Sequence, residues 1–265
     1  MSLIIVITNR STKIMGAIVK TLSYPFHFIF PNKRFTIPKE SKAFLPSTSS
    51  SKISKIIWQT NYTNNVSLPV YVNYLFNRLM SLDWDYRYVS TEDRLDFIRS
   101  HASKQIADAF EQLTDGASQA DLWRLFVLNY YGGVYMDIDA HAVWPLSKMI
   151  QPTDKEVFLM TKHNYSNYFI ASSKNNPYLE KAVNMIVENI ENKNIGEGVY
   201  DLTGPTVLNK VIGDDVVNHR LYRITCVQGS FTNEYFQYID KPRGKWIYAK
   251  KEDLLKNKEV DLNND

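Results

Sequence analysis

The chain has 265 residues, of which 44% are hydrophobic and 22% are charged, as in an ordinary globular protein with a substantial core. Its formal net charge of +3 is too small to indicate a nucleic-acid partner. Its single cysteine, Cys226, excludes an intrachain disulfide and is compatible with a reducing compartment.

The first 51 residues are predicted to form an N-terminal extension that ends in a flexible, Pro- and Ser-rich linker. Residues 2–8 are a short apolar run typical of a strand, too short to cross a membrane. Residues 13–30 space several apolar side chains as in a helix, with Lys13 and Lys20 off that face. Two interpretations stay open for this segment: a basic amphipathic element on an anionic membrane surface, or an element packed against the core.

From residue 52 to residue 250 the pattern alternates between strands and helices, which predicts one α/β domain. The expected strands cover residues 53–59, 86–89, 157–161 and 167–172. The expected helices cover residues 69–82, 91–99, 103–113, 118–130 and 177–191, and Pro205 is expected to open another helix. Late strands or a closing lid are expected over residues 222–228 and 244–249, and a charged, frayed tail over residues 251–265.

The helix predicted over residues 118–130 carries two opposite charges on one face. Ser118 is its expected N-cap, which places Asp121 at the third helical position. Asp121 and Arg124 lie three residues apart, so they share a helix face. A Gly-Gly pair then ends the helix and turns the chain into a strand. The alternative is that the two charges form an ordinary surface ion pair, which would contribute little.

Two acids follow the Gly-Gly pair at the end of an apolar run. Apart from Asp137, residues 134–138 are β-branched, aromatic or apolar, so they predict a buried strand. Asp137 and Asp139 are two residues apart, so in an extended chain both carboxylates point to the same face. A divalent cation such as Mg²⁺ or Mn²⁺ would relieve their repulsion and keep open positions for diphosphate oxygens. The alternative is a solvated turn.

These residues carry a resemblance to a known family. Asp121 and Arg124, followed by Y-G-G-x-Y-x-D-x-D, resemble the DxD glycosyltransferases related to Och1-type mannosyltransferases and to capsule or lipopolysaccharide sugar transferases. Clostridial glucosylating toxins share the same core. Residues 53–60 are similar to the family's first strand, I-P-K-I-I-H-Q-x-W, with Ser54 for the usual Pro and Trp58 for the usual His. The resemblance covers roughly residues 52–210.

The resemblance implies a GT-A-like α/β domain with a mixed, mostly parallel sheet. It implies metal-dependent, retaining transfer of a hexose or N-acetylhexosamine from a UDP- or GDP-sugar. The expected acceptor is a glycan or lipid-linked glycan of the capsule, lipopolysaccharide or O-antigen. Because a Golgi enzyme of this kind would need an anchor and none is evident, we expect a cytoplasmic bacterial enzyme. Its expected place is the inner face of the inner membrane, with peripheral contact through residues 13–30.

The resemblance also implies roles for particular residues. Asp121, Arg124 and Asp137 are the expected catalytic residues, and Asp137 and Asp139 the expected ligands of Mn²⁺ or Mg²⁺. The expected nucleotide-sugar site comprises Trp58, Gln59, Asp121, Arg124, Asp137, Gly204 and Trp246. In this set the Trp58 ring would stack on the base, and Trp246 would cover the diphosphate. The His and Ser that accompany the family's late Trp are missing, which leaves the third metal ligand open.

Three rival functions share this set of residues. One is a toxin-like transferase that modifies a protein, another is a non-catalytic sugar-nucleotide-binding partner, and the third is a nucleotide-sugar hydrolase. The presence of both acids argues against the non-catalytic partner.

Overall fold

The computed structural model describes residues 3–46 and 50–256. Residues 1–2, 47–49 and 257–265, which include the start of the predicted first strand and parts of the predicted linker and tail, lie outside the described part. The described α-helices are α1 (Leu3–Ile29), α2 (Leu68–Leu79), α3 (Thr91–His101), α4 (Lys104–Gln112), α5 (Gly116–Tyr131), α6 (Leu146–Met149), α7 (Pro177–Glu191), α8 (Val199–Leu202), α9 (Pro205–Ile212), α10 (Tyr222–Thr225) and α11 (Glu234–Gln237). The described strands are β1 (Phe35–Thr36), β2 (Glu40–Ser41), β3 (Ile56–Asn61), β4 (Asn65–Val66), β5 (Asp85–Ser90), β6 (Gly133–Met136), β7 (Ala140–Ala142), β8 (Glu156–Met160), β9 (Tyr165–Ser172), β10 (His219–Leu221) and β11 (Cys226–Gln228). Short 3₁₀ helices cover Trp246–Tyr248 and Lys251–Asp253.

The central sheet has seven strands in the order β10-β8-β9-β6-β3-β5-β2. Strands β3, β5, β6, β8 and β10 run in one direction, whereas β2 and β9 run in the other. The predicted α/β fold with a mixed sheet is therefore confirmed, but the sheet is less parallel than predicted, because three of its six strand pairings are antiparallel.

Two separate cores cover the faces of this sheet, because successive side chains of a strand point to opposite faces. Ile57 and Val134 pair in register and enter one core together with side chains of α2. Trp58 and Tyr135 pair in register and enter the other core together with α5 and α7. Helices on both faces thus bury β3 and β6 at the centre of the sheet.

The N-terminal extension differs from its prediction. Residues 3–8 belong to helix α1 rather than to a strand, since the apolar spacing of a helix already starts in this run. Strand β2 pairs with β5, so part of the extension belongs to the central sheet. At the other end, buried Leu254 and Leu255 pack the start of the predicted tail against the core. Among residues 3–46 and 50–256, no helix has the length and apolar character needed to cross a bilayer.

The start of α5 also differs from its prediction. Asp115, not Ser118, is the N-cap, and one of its carboxylate oxygens accepts hydrogen bonds from the backbone N–H groups of Ala117 and Ser118, both at 2.9 Å. A carboxylate at this position suits the positive end of the helix dipole. Asp121 consequently lies deeper in the helix than predicted, while its spacing from Arg124 keeps both on one face.

The late segments are only partly as predicted. Of residues 222–228, the first part forms α10 and only Cys226–Gln228 is a strand. The segment predicted over residues 244–249 contains a short 3₁₀ helix instead of a strand.

We predict that Gly133, where the chain passes from α5 into β6, tolerates no side chain. Its φ is 115°, and a Cβ atom there would lie 2.5 Å from the Ile56 carbonyl oxygen. We expect Gly133→Ala to lower the free energy of unfolding by more than about 2 kcal/mol. Gly116→Ala is the matched control, because the nearest atom to its Cβ would be 4.0 Å away. Urea unfolding compares the two variants, and equal stabilities would contradict the prediction.

Candidate active site

A cleft of about 360 Å³ opens at the carboxyl ends of β3, β5 and β6. Its wall is built by the residues that follow these strands, by the first turns of α3, α8 and α9, by the first half of α5, by residues 166–168 of β9, and by the segment 237–246. The volume is within the range of small-molecule sites, and the carboxyl ends of strands are where α/β sheets bind ligands.

Arg124 is the central cation of the cleft, and only 5% of it is exposed. Its Nη2 lies 3.0 Å from Oδ1 of Asp121, and its Nη1 lies 3.1 Å from Oδ1 of Asp137. Nη1 also donates to the backbone oxygen of Asn167 at 2.9 Å. The guanidinium therefore joins α5, the turn after β6 and strand β9.

Tyr135 contacts both the Arg124 guanidinium and the Asp137 carboxylate. Its ring centre lies 4.4 Å from the Arg124 guanidinium carbon, and its hydroxyl donates to Oδ1 of Asp137 at 2.7 Å. Burial raises the pKa of Tyr135 well above its usual value, so the hydroxyl remains a donor. Burial alone would lower the pKa of Arg124, but Tyr135, Asp137 and Asp121 raise it above the ordinary value. Arg124 therefore stays charged.

Both carboxylate oxygens of Asp121 have hydrogen-bond donors. Oδ1 accepts from Nδ2 of Asn167 at 2.9 Å, and Oδ2 accepts from the Thr203 hydroxyl at 3.1 Å. Burial raises the pKa of Asp121 to about 7; Arg124 and Thr203 oppose this shift and Asp137 adds to it. Asp121 is thus a fixed acceptor whose negative charge is made costly by its burial.

The D-x-D acids lie on a turn rather than on an extended strand, and they nevertheless converge. The turn is closed by a hydrogen bond from the backbone N–H of Ala140 to the backbone carbonyl oxygen of Asp137, at 3.0 Å. Nε2 of Gln228 donates to Oδ2 of Asp137 at 3.0 Å and to Oδ1 of Asp139 at 3.2 Å. Burial and the neighbouring Asp137 raise the pKa of Asp139 to about 7, and the Gln228 hydrogen bond opposes this rise.

Two buried amides hold the backbone of this turn. Nε2 of Gln59 donates to the Asp137 carbonyl at 3.1 Å, and Nδ2 of Asn73 donates to the carbonyls of Ile138 and Ala140 at 2.8 and 2.9 Å. Because the carbonyls are bound from the side of β3 and α2, the two carboxylates can face the Gln228 amide. Gln59 therefore positions the turn and does not line the cleft, in contrast to its predicted role.

Trp58 also lies away from the cleft. It is 6% exposed, its Nε1 donates to the Gly132 carbonyl at 3.0 Å, and its ring meets Trp123 edge-on with centroids 6.2 Å apart. Its position in the middle of β3, covered by α5, places the ring outside the cleft, where it lines a separate pocket with Arg87 and Tyr131. The structure thus does not bring Trp58 to the cleft in which the predicted stacking on a base would occur. Among the aromatic residues that do line the cleft, Tyr62 and Tyr238 stack on each other with ring centroids 6.1 Å apart.

Gly204 and Trp246 both line the cleft, as does the central cluster. A Cβ atom at Gly204 would lie 2.9 Å from the backbone of Tyr200, so the chain is closely packed at the start of α9. Trp246 is 40% exposed, and its ring lies 5.9 Å from that of Tyr200. The predicted site residues that the structure brings together are Asp121, Arg124, Asp137, Asp139, Gly204 and Trp246.

Sequence reasoning missed several polar residues of the site. Asn167 and Thr203 hold Asp121, and Gln228 holds the D-x-D acids. Arg94 lines the cleft too; burial lowers its pKa to about 10, and it donates to the Gly116 carbonyl at 3.0 Å. Thr203 directly precedes Gly204, which the resemblance assigns to the nucleotide-sugar site, but no spacing in the chain marks the others.

The donor set fits a hard divalent cation. Asp137 and Asp139 supply carboxylates, and Gln228 would supply an amide oxygen if its terminal group rotated. Within residues 3–46 and 50–256, no group of three or more His, Cys, Asp or Glu side chains could hold a metal ion. A cation here would therefore have two carboxylates and free positions for ligand oxygens and water.

The sequence matches a known family over this site. Residues 69–157 match the family described as "Glycosyltransferase sugar-binding region containing DXD motif". That stretch contains Asp121, Arg124, Asp137 and Asp139. Over these residues the match agrees with the predicted resemblance to DxD-containing glycosyltransferases, while the finer resemblance to Och1-type and capsular transferases stays a prediction.

Several curated proteins are similar to parts of the chain, including the following two. Toxin Afp18 of Yersinia ruckeri is 31% identical over 115 residues, which are 40% of this chain and 5% of the toxin. Mannosyl phosphorylinositol ceramide synthase SUR1 of Saccharomyces cerevisiae is 34% identical over 89 residues, which are 33% of this chain and 22% of the synthase. The matched segments thus span small parts of these relatives.

One solved structure is similar in fold. The structure titled PaToxG Glycosyltransferase superposes with a TM-score of 0.52 at 19% identity, covering 79% of this chain and 78% of that one. At this identity the likeness concerns the fold, and it agrees with the GT-A-like architecture.

We predict a pH-dependent stability that originates at Asp121. Its folded pKa of about 7 lies above an unfolded value of about 4, so the folded protein holds a proton that the unfolded chain releases. This contribution is lost as the pH rises from about 4 to about 7. In EDTA, the stability of wild type relative to Asp121→Asn should fall by roughly 1 to 3 kcal/mol between about pH 5 and pH 8.

Urea unfolding at several pH values checks this dependence. The exposed Asp214 provides the control, and Asp214→Asn should follow the wild-type curve. Parallel curves for wild type and Asp121→Asn would disprove the assignment.

Proposed function

We propose that the protein transfers a hexose or N-acetylhexosamine from a UDP- or GDP-sugar to an acceptor hydroxyl. The observation that most supports this is the buried cluster of Asp121, Arg124 and Asp137 at the cleft, within the matched family region. Asp121 and Arg124 are only 6% and 5% exposed, so they do not form the ordinary surface ion pair that was the alternative interpretation of their spacing. A buried cation flanked by acids suits a ligand that carries both phosphates and hydroxyls.

Each charged group has a proposed role in binding the donor. The planar fork of Arg124 matches phosphate oxygens and would bind the diphosphate or the donor sugar. Asp121 would accept hydrogen bonds from sugar hydroxyls and so orient the anomeric carbon. The close packing at Gly204 keeps the start of α9 near the donor, and Trp246 would cover the diphosphate.

Asp137 and Asp139, together with a rotated Gln228, would hold Mn²⁺ or Mg²⁺. When bound, the ion supplies Lewis-acid stabilisation of the leaving diphosphate. Tyr135 and Arg124 hold Oδ1 of Asp137, which leaves its Oδ2 directed to the same point as Asp139.

The proposed stereochemical course is retention by attack on the front face. The acceptor oxygen forms a bond to the anomeric carbon, the bond to the phosphate oxygen breaks, and that phosphate oxygen takes the acceptor proton. Asp121 suits a positioning role better than a covalent one, because both its oxygens already accept hydrogen bonds. Departure of the diphosphate leaves an oxocarbenium-like positive charge at the anomeric carbon, as in glycoside hydrolysis.

The proposed acceptor is a glycan or lipid-linked glycan. In support, one relative that is similar over part of the chain is named as a mannosyl phosphorylinositol ceramide synthase. A second candidate is a protein acceptor, because another relative that is similar over part of the chain is named as a toxin. The two classes differ in what receives the sugar and share the donor site.

Our prediction for the donor site concerns Arg124→Lys. An ammonium cannot contact the Asp121, Asp137 and Asn167 oxygens together, so we expect donor turnover to fall by about 100-fold or more. Turnover is measured as release of UDP or GDP from a panel of sugar nucleotides with Mn²⁺, and donor binding by calorimetry. Arg99→Lys, at an exposed pair with Glu111, is the control and should retain wild-type turnover.

Three outcomes would count against the proposal. Equal turnover by Arg124→Lys and wild type would remove Arg124 from the donor site. Donor binding without turnover by wild type, with any acceptor extract, would favour a non-catalytic partner. Turnover with water alone, with no sugar reaching any glycan or protein fraction, would favour a hydrolase.

The metal site gives a separate prediction at Gln228. We expect Gln228→Glu to bind Mn²⁺ at least about fivefold more tightly than wild type without any donor, because a third carboxylate joins the site. Asp139→Asn should abolish the binding. Calorimetric titration with MnCl₂ measures both, and Asp214→Asn is the control. Unchanged affinity in Gln228→Glu would place Gln228 outside the metal site.

A further inference from the structure

Helix α1 has its faces reversed relative to an ordinary surface helix. The residues that it buries against the protein are small or polar, namely Thr12, Gly16, Ser23 and His27. The residues that it exposes are mostly large and apolar, namely Leu3, Ile4, Ile7, Ile14, Met15, Ile18, Leu22, Phe28 and Ile29. A soluble protein normally turns such an apolar face inward.

Close backbone packing and polar contacts fix the inner face. A Cβ atom at Gly16 would lie 2.6 Å from the Ser230 backbone oxygen, so the helix and this loop are in direct contact. Nζ of Lys20 donates to the Gly229 carbonyl at 2.8 Å, and Nδ2 of Asn9 donates to the Arg223 carbonyl at 2.7 Å. The exposed apolar side chains are therefore not what attaches α1 to the domain.

The exposed side chains form one stripe along the helix. Apolar residues at positions 3, 7, 14, 18, 22 and 29 are separated by four or seven residues, so they repeat on one face. A helix of 27 residues is about 40 Å long. An apolar patch of this length on a surface indicates an interaction site.

Two partners could cover the apolar stripe, a second copy of α1 or a lipid surface, and the charge of α1 favours the lipid surface. The helix contains Arg10, Lys13 and Lys20 and no acidic residue; Lys20 binds the loop, while Arg10 and Lys13 are exposed. A second copy of α1 would bring only like charges to the contact. An anionic lipid surface instead complements these charges and covers the apolar side chains.

We propose that α1 lies flat in the surface of an anionic lipid bilayer, with the stripe of Ile7, Ile14, Ile18 and Leu22 in the acyl boundary. Arg10 and Lys13 lie at the level of the headgroups. Helix α1 contacts residues 229–232, which directly follow Gln228 of the cleft. Binding of α1 to the bilayer therefore keeps the part of the cleft around Gln228 near the lipid. The proposal does not depend on the transfer reaction.

Vesicle co-sedimentation of the full chain tests the apolar stripe. Wild type should bind vesicles of phosphatidylcholine with phosphatidylserine, and Ile14→Glu with Ile18→Glu should lower the partition coefficient by at least about tenfold. The control is Leu45→Glu with Val216→Glu, which adds the same charges at exposed apolar positions outside α1 and should bind as wild type. Thermal melts establish that both double variants are folded.

The charged flank is tested separately. Arg10→Gln with Lys13→Gln should weaken binding to the anionic vesicles by roughly fivefold for each charge. Raised salt should produce the same loss in wild type, because the attraction is screened. Equal binding to vesicles of phosphatidylcholine alone would overturn the anionic part of the proposal.

Two results would overturn the proposal as a whole. One is the absence of wild-type binding to the anionic vesicles. The other is a wild-type dimer in analytical ultracentrifugation without lipid that Ile14→Glu with Ile18→Glu converts to a monomer. That result would assign the stripe to a second copy of the chain.

Discussion

The burial of the Arg124 guanidinium is the constraint on which the site depends. A cation removed from water is stable only where acceptors and opposite charges surround it. Asp121 on the same helix, Asp137 after β6 and the Asn167 carbonyl on β9 meet this need. Satisfying one charge therefore fixes the relative positions of three elements, and it leaves a polar cluster facing the cleft.

The D-x-D turn adds a second layer to this arrangement. Its carbonyls are bound from inside by the amides of Gln59 and Asn73, and its carboxylates meet the amide of Gln228 from outside. The turn thus needs no regular strand geometry to bring Asp137 and Asp139 together. Two acids in one place repel each other, which agrees with the raised pKa of Asp139 and with a site that favours a cation.

The two faces of α1 connect this site to the outer surface. The inner face holds the loop after Gln228 by contacts at Gly16 and Lys20, and the outer face carries the apolar stripe. The small and polar residues of α1 attach it to the domain, so its exposed apolar residues are not needed for the fold. Residues 13–30 are predicted to be amphipathic, but that pattern alone does not tell which face is covered.

The sequence by itself determined what short-range spacing controls. The class of fold, helix α7, the helix–Gly-Gly–strand unit and the pairing of Asp121 with Arg124 all follow from periods of two and 3.6 residues and from turn residues. Only the tertiary structure decided that Trp58 is covered by α5 and that Asn167, Thr203 and Gln228 complete the site. Those contacts join residues far apart in the chain, and they form because of the order in which the strands lie in the sheet. Local periodicity does not predict that order.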